Sequence, residues 1–475
     1  MSALPRLSTE NTVSVPSVEL PMTTHADVVV AGGGPAGFCA AIGASRAGAR
    51  VVLVERGPFL GGTATGAMVA SFMGFYWREV LVGGGVGHEI TQRLIEAGGA
   101  TEFTPYVLAE ASENPLRVRT FPFDPEILKL VLDDLATEAG IEVLLHSQAT
   151  SPVLHDGKVH GLVVQGRYAA EAIGAPVVVD ATADAVVSRK SGCGTENSLD
   201  ERRDRQPMTM MARLSNVDVG RFRALDRAEK RRLARLGVET GQLAQQLLSL
   251  LSSPSGNDAF ILMTRVTGLD GSDSHDLTRA EIAGRAQLRS VISFLREAVP
   301  GFESAYLSSI APWIGVRETW RIAGDYVLTE SDVLAGHQFP DAIAQAGGPL
   351  DVHDNKTGLT LLEPPAPFSV PYRSLLPKGV DGLLVAGRCL SATQAAMGAV
   401  RHMGTAMATG QAAGVAAALA AQLGVAPRAV PPERIRAVLR TQGAIVDPPA
   451  AVAPSLSRNP DPEVNDDQSR FTHHG

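Results

Sequence analysis

Apolar positions along the chain fall into two rhythms. Residues 28–55, VVVAGGGPAGFCAAIGASRAGARVVLVE, read as an apolar strand, a glycine turn, a small-residue helix and a second apolar strand that ends in an acid. VGHEITQRLIEAGG carries Ile90, Leu94 and Ile95 on one side of a predicted helix. DPEILKLVLDDLATEAG opens on the start signal Asp124-Pro125 and stops at Gly140, which predicts another helix. IEVLLH then predicts a strand, and GKVHGLVVQG and YAAEAIGAPVVVDAT predict alternating strands around a turn. Residues 216–255 read as charged and helical, FILMTRV (260–266) as a strand and 277–298 as a helix. FSVPYRSLL and DGLLVAGR predict strands, with a helix of small residues after the second.

Strand-helix-strand units at both ends of a mixed middle predict an α/β protein. The expected architecture is a discontinuous Rossmann-like cofactor domain over 26–70, 120–200 and 370–425, with a mixed α+β substrate domain inserted as 71–119 and 201–369. The 475 residues, 45% of them hydrophobic, allow two or three folding units at roughly 100–200 residues each. Residues 1–25 lack the apolar core of a signal peptide and read as a flexible lead-in. Residues 447–475, rich in Pro, Asp, Asn and Ser, read as a disordered tail. The apolar late helix is too short and too interrupted for a membrane span. A net charge of −8 speaks against a nucleic-acid partner. Three separated cysteines, Cys39, Cys193 and Cys389, give neither a disulfide framework nor a zinc spacing. The expectation is a cytoplasmic protein with no membrane partner and no metal site.

Gly32, Gly34 and Gly37 match G-x-G-x-x-G directly after the first strand. Gly32 serves the tight turn, Gly34 the approach of a pyrophosphate to the backbone, and Gly37 the packing of helix on sheet. The helix amino end adds unpaired N–H groups and partial positive charge. Glu55 ends the next strand, where its carboxylate accepts ribose hydroxyls and repels a 2′-phosphate, so NADP is disfavoured. This unit alone leaves NAD and FAD open.

A set of further stretches narrows the choice. DVVVAGGGPAGFCAA, GGTATGAMV, FPFDPEILKLVLDDL, VVVDATADA, RQPMTMMARL, IGVRETWRIAGDYVLTESDV and VPYRSLLPKGVDGLLVAGRCLSATQAAMGAVRHMGTAMATGQAAG run in order from about 27 to 420. The chain resembles the FAD-dependent oxidoreductase family of the glutathione-reductase-like flavoprotein superfamily. The resemblance implies an extended FAD with adenosine on Glu55 and pyrophosphate on the first helix. It implies that Gly62, Thr63 and Ala64 line the ribityl and ring region, and that Ala181 and Thr182 pass near the pyrophosphate. Gly387 and Arg388 would meet the pyrophosphate side, and Pro35, Ala36, Arg56 and Ala149 complete the set. Ala183 stands where the family's ATGD-like segment has a glycine.

In the implied chemistry a hydride passes between a small organic substrate and flavin N5, leaving negative charge at N1 and the C2 carbonyl. A helix opening at Met403, Gly404 and Thr405 suits that charge, since its N–H groups are aimed before reaction. Arg401 and His402 precede this opening and either add positive charge or face substrate; a structural ion pair and a satisfied core histidine are the competing readings. GVRETWRIAGDY reads as a strand with Arg317 and Arg321 on one face and Glu318 on the other. Arg317 then either binds a carboxylate or joins a buried Arg–Glu network. Tyr372, just before the last cofactor strand, is a candidate to reach the ring, and Tyr76, Trp77 and Tyr106 to wall the pocket. The single glycine fingerprint and the lack of a redox cysteine pair leave a flavin dehydrogenase, oxidase or reductase. A flavoprotein monooxygenase and a flavin-binding protein with a structural or RNA-modifying role are the alternatives.

Overall fold

The computed structural model describes residues 6–9, 12–14, 17–110, 115–197, 205–254, 256–354 and 358–450. Of the tail expected to be disordered, all but 447–450 lies outside the described residues. The central sheet has five strands, β1 (Val28–Ala31), β2 (Val51–Val54), β3 (Glu142–Leu144), β4 (Val177–Asp180) and β5 (Leu383–Val385). They pair in parallel in the order β3-β2-β1-β4-β5. Parallel strands covered on both faces need apolar residues without alternation. VVVA, VVLV, VVVD and LLV meet that need, and every residue in them is buried. The loops leave the strands at Gly32, Glu55 and Ala181, and at Gly387, with Ala386 between it and the end of β5. They therefore gather along the carboxyl edge of the sheet, where ligands bind in open α/β folds.

Helix α1 (Pro35–Arg46) follows β1, with Pro35 in its first turn and an amino end uncapped by any side chain. Helix α2 (Pro125–Glu138) leads into β3, and the Asp124 carboxylate accepts from the Glu126 N–H at its start. Helices α3 (Gln394–Val400) and α4 (Met403–Leu423) follow β5. α4 lies across α1 at backbone distance. A Cβ on Gly410 would stand 2.0 Å from the Ala36 carbonyl oxygen, and one on Gly414 1.9 Å from that of Ala40. Gly43 closes the crossing from the other helix, 2.7 Å from the Gln411 carbonyl by the same measure.

A second sheet holds strands 148–155, 158–165 and 170–174, with Met22–His25 added in parallel to 170–174. Residues 22–25 thus depart from the expected flexible lead-in. MTTH is too short and too polar to announce a strand; it is placed by a sheet edge that offers it partners. A separate hydrophobic core forms around a four-stranded antiparallel sheet of 250–252, 258–261, 212–215 and 306–310. The helix Ser274–Ala298 backs it through Ala280, Leu288, Val291, Phe294 and Leu295. The charged stretch at 216–255 divides into helices Val219–Ala224 and Arg227–Glu239 and the strand Leu250–Ser252. Among the described residues no helix is long and apolar enough to cross a membrane.

Two other expectations change. The strand in GVRETWRIAGDY is only Trp320–Ile322, which pairs antiparallel with Thr195–Asn197. Arg317 and Glu318 therefore sit on irregular chain and point to separate partners. FSVPYRSLL is a strand only over Phe368–Pro371, after which Tyr372–Leu375 turn into a 3-10 helix.

The α1–α4 crossing makes a direct stability prediction. Gly414→Ala pushes a methyl into a main-chain carbonyl that neither helix can move cheaply. We expect a loss of about 1–3 kcal/mol, typical of overpacking, read as a lower midpoint in denaturant unfolding.

Candidate functional site

The glycine turn after β1 is built on close approach. Gly32 has φ +100°, and a Cβ there would meet the Ala181 carbonyl oxygen at 2.6 Å. A Cβ on Gly37 would lie 1.8 Å from the Gly32 oxygen. Gly34 differs, since a Cβ there meets nothing nearer than the Gly62 Cα at 3.9 Å. The turn is thus packed solid on two sides and open on the third, above the uncapped start of α1. The Gly61 N–H donates to the Gly33 carbonyl, which docks the loop carrying Gly62, Thr63 and Ala64 against this opening. Gly387, with φ +72°, closes the far side within contact of Ala36.

Glu55 is 7% exposed and accepts from the Gly33 and Gly57 N–H groups, each at 2.7 Å. A carboxylate has about four acceptor sites, so roughly two remain for hydroxyls. Ser147, two residues before the buried Ala149, donates its N–H to the Glu55 carbonyl. Arg56 is exposed. Asp180 at the end of β4 is saturated by the N–H and hydroxyl of both Thr182 and Ser188. Its task is to shape the loop after β4. In that loop Ala183 takes φ +66°, the left-handed conformation that suits the glycine expected there. Arg388 is neither on solvent nor unpaired: its Nη2 donates to Asp184 at 3.0 Å, while Nη1 is buried without a partner.

A second group collects where α4 begins. His402 is the residue before α4; it is buried and neither ring nitrogen makes a hydrogen bond, although the Ala399 carbonyl faces the ring. Burial, with Arg401 beside it, pulls its pKa down to about 4, so the ring is neutral at pH 7. The Thr405 hydroxyl is also buried and unpartnered. The Gly404 N–H donates to the Met73 carbonyl, so it is not available to a ligand as the sequence suggested. Arg401 Nη2 donates to the main-chain and side-chain oxygens of Asp351, both at 3.0 Å, and Arg401 Nε is unpartnered. His353 Nε2 lies 3.2 Å from the other Asp351 oxygen. Burial alone would raise the Asp351 pKa, but Arg401 and then His353 hold it below the usual carboxylate range. Burial and Arg317 take His353 down to about 4. Arg317 donates from Nη1 to the Pro207 carbonyl and to Thr209 Oγ1, the latter at 2.9 Å.

Asp351 and His353 carried no signal in the sequence. They reach the group through the hairpin 350–354/358–362, which lies so close on α3 that a Cβ on Gly398 would meet Asp351 backbone at 2.9 Å. Trp313 is a second unforeseen residue. It lies in the chain between Ala311 and Ile314 of the second core, stacks on Phe59 with centroids 5.6 Å apart, and covers Gly57 and Gly66 beside Glu55. Tyr372 is not brought to the group. Its ring is 2% exposed in the core, and its hydroxyl donates to the Pro427 carbonyl, just beyond the far end of α4. A helix of that length separates its ends by about 30 Å. Among the described residues Glu318 forms no ion pair with an arginine; it accepts from the Gln206 N–H and side chain and from Gln394. Trp77 donates to the Pro364 carbonyl, and Tyr106 bonds Ser249 beside the second core.

An open glycine turn at the sheet edge and a buried cationic group at a helix opening are features suited to a dinucleotide and its redox chemistry. Residues 27–439 match the FAD dependent oxidoreductase family, and the chain belongs to that family. It is an enzyme and its cofactor is FAD. It is 28% identical over 189 residues to the digeranylgeranylglycerophospholipid reductase of Methanosphaerula palustris, a match over 38% of this chain and 43% of that one. It is 32% identical over 174 residues to digeranylgeranylglycerophospholipid reductase 2 of Methanothermobacter thermautotrophicus, over 36% and 42%. The chain thus spans less than half the length of these curated relatives. Among solved structures, a geranylgeranyl bacteriochlorophyll reductase-like protein from Thermoplasma acidophilum superposes with a TM-score of 0.48 and 14% identity, over 89% of this chain and 84% of that one.

The two histidines make stability depend on pH. Each holds its proton only near pH 4 when folded and near 6.5 when unfolded, so unfolding takes up protons between those values. Their contribution is complete above pH 6.5 and is lost as pH falls toward 4; Asp351 adds a loss of the same sign at lower pH. We expect the unfolding midpoint to fall between pH 7 and 4.5, and to fall less in His402→Gln. Parallel pH profiles for the two proteins would contradict this.

Proposed function

We propose that the enzyme transfers a hydride between a small organic substrate and N5 of its FAD, as a dehydrogenase, oxidase or reductase. The observation that carries this reading is the set of enclosed polar atoms without partners where α4 begins: both His402 nitrogens, Thr405 Oγ1 and Arg401 Nε. Buried polar atoms are nearly always paired, so such a set marks the seat of a ligand. The cradle fits the rest of FAD. Glu55 retains acceptor sites for the ribose, and the open side of Gly34 with the Ala36 and Gly37 N–H groups suits a diphosphate. The unpartnered Arg388 Nη1 adds positive charge there, and Gly62, Thr63, Ala64, Ala181, Thr182 and Gly387 form the walls. Pro35, Arg56 and Ala149 border it. When bound, FAD supplies two-electron chemistry by taking or giving a hydride.

The protein's own groups set the conditions for that exchange. The Met403 and Thr405 N–H groups and the dipole of α4 favour negative charge at the helix opening. Neutral His402 fills the space between Gly74 and Gly348 and keeps water from it. Arg317 and Arg401 supply fixed positive charge beside it. We further propose that the parallel sheet and its helices are a discontinuous FAD-binding domain of the glutathione-reductase-like kind, and that the second core is an inserted substrate domain. The five-strand order and the break of that core from the sheet support this.

Two outcomes test the proposal. The purified protein is yellow, and under anaerobic conditions a competent substrate bleaches the oxidised flavin band; a flavin that no electron donor reduces would refute it. Glu55→Ala weakens FAD binding about 10-fold or more, as expected for losing charge-assisted hydrogen bonds, measured by flavin fluorescence titration.

A further inference from the structure

Arg317 poses a problem that the flavin reading does not resolve. It is ringed by protein yet keeps part of its surface open. Burial and the neighbouring Arg401 lower its pKa to about 10, so it remains charged at pH 7. Its protein acceptors, the Pro207 carbonyl and Thr209 Oγ1, are both neutral and both taken by Nη1. Among the described residues no acceptor meets Nε or Nη2, and no carboxylate forms an ion pair with it. Asp351 is engaged by Arg401, and Glu318 by Gln206 and Gln394. Arg265 adds further positive charge nearby. A buried charge with no bonded counter-ion is costly, and a site that keeps one is built for an anion supplied from outside.

The shape of the vacant edge narrows the anion. Nε and Nη2 form one planar fork, which matches the two oxygens of a carboxylate. Arg401, Asp351 and His353 each keep 12–14% of their side-chain surface accessible to water. His353 and His402 are neutral and bring no further charge.

We propose that the substrate carries a carboxylate, held on the Nε–Nη2 edge of Arg317, with Arg401 beside it as the second cation. Asp351 sets the affinity from the opposite direction: it cancels Arg401 and repels the incoming anion. The inference rests on the flavin reading, since it places the substrate at the opening of α4.

The test uses the FAD-loaded enzyme. Acetate, benzoate and indole-3-acetate are titrated against their amides while the flavin absorption is followed. At least one carboxylate perturbs the flavin band saturably and its amide does not. Arg317→Met weakens that carboxylate about 10- to 100-fold, and Arg317→Lys weakens it less. Asp351→Asn keeps the side-chain shape, removes the opposing charge and tightens binding; it decides the matter should Arg317→Met hold no flavin. Carboxylates that act no differently from amides would overturn the proposal. So would an Arg317→Met enzyme whose flavin spectrum changes while carboxylate affinity does not, which would assign Arg317 to the cofactor. A protein that takes up no FAD brings down the flavin reading itself, whereas a yellow protein indifferent to carboxylates brings down this inference alone.

Discussion

The structure depends on two helices touching through bare backbone. α1 and α4 meet at Gly43, Gly410 and Gly414, where a single methyl would overlap a main-chain carbonyl. Interiors are close-packed, so this contact tolerates little adjustment. It fixes the start of α4 relative to the start of α1, and both starts are helix amino ends with unused N–H groups. In the proposed reading one end serves the diphosphate of the cofactor and the other its ring. A bulkier pair of helices would hold the same sheet but would move these two sites apart.

The polar group at the opening of α4 shows how a fold keeps charge inside. Arg401 and Asp351 are paired within hydrogen-bond distance, and the histidines are kept neutral by burial. Such a pair adds little net stability, because desolvation offsets its attraction. Its value lies in position: the pair ties the strands 350–354 and 358–362 to the residue that ends α3, so their place is registered at the site. Trp313, next in the chain to Ile314 of the second core, does the same at the other end by packing on the Gly57–Gly66 loop beside Glu55.

Much of this was legible in the sequence where the requirement is local. Gly32, Gly37 and the apolar strands around them follow from turn geometry and strand burial within thirty or so residues. The helices at 125–138 and 403–423 announced themselves by Asp124 and by runs of small residues. What failed was inference from neighbourhood in the chain. Tyr372 stands beside the last cofactor strand in sequence, yet a 3-10 turn sends its hydroxyl to Pro427. Arg317 and Arg321 shared a face only on a strand longer than the Trp320–Ile322 that forms. Asp351 and His353 reach the site by tertiary packing of a hairpin, and no local pattern encodes that.

The crossing of Ala36 with Gly410 has one more consequence, for the order of events at the ribosome. α1 leaves the ribosome long before α4, which lies several hundred residues further along the chain. Contacts between such distant parts of a chain form late and slowly. The nascent protein must keep the apolar face of α1 covered by something else until α4 arrives, which makes the long interval of translation the period of greatest exposure to aggregation.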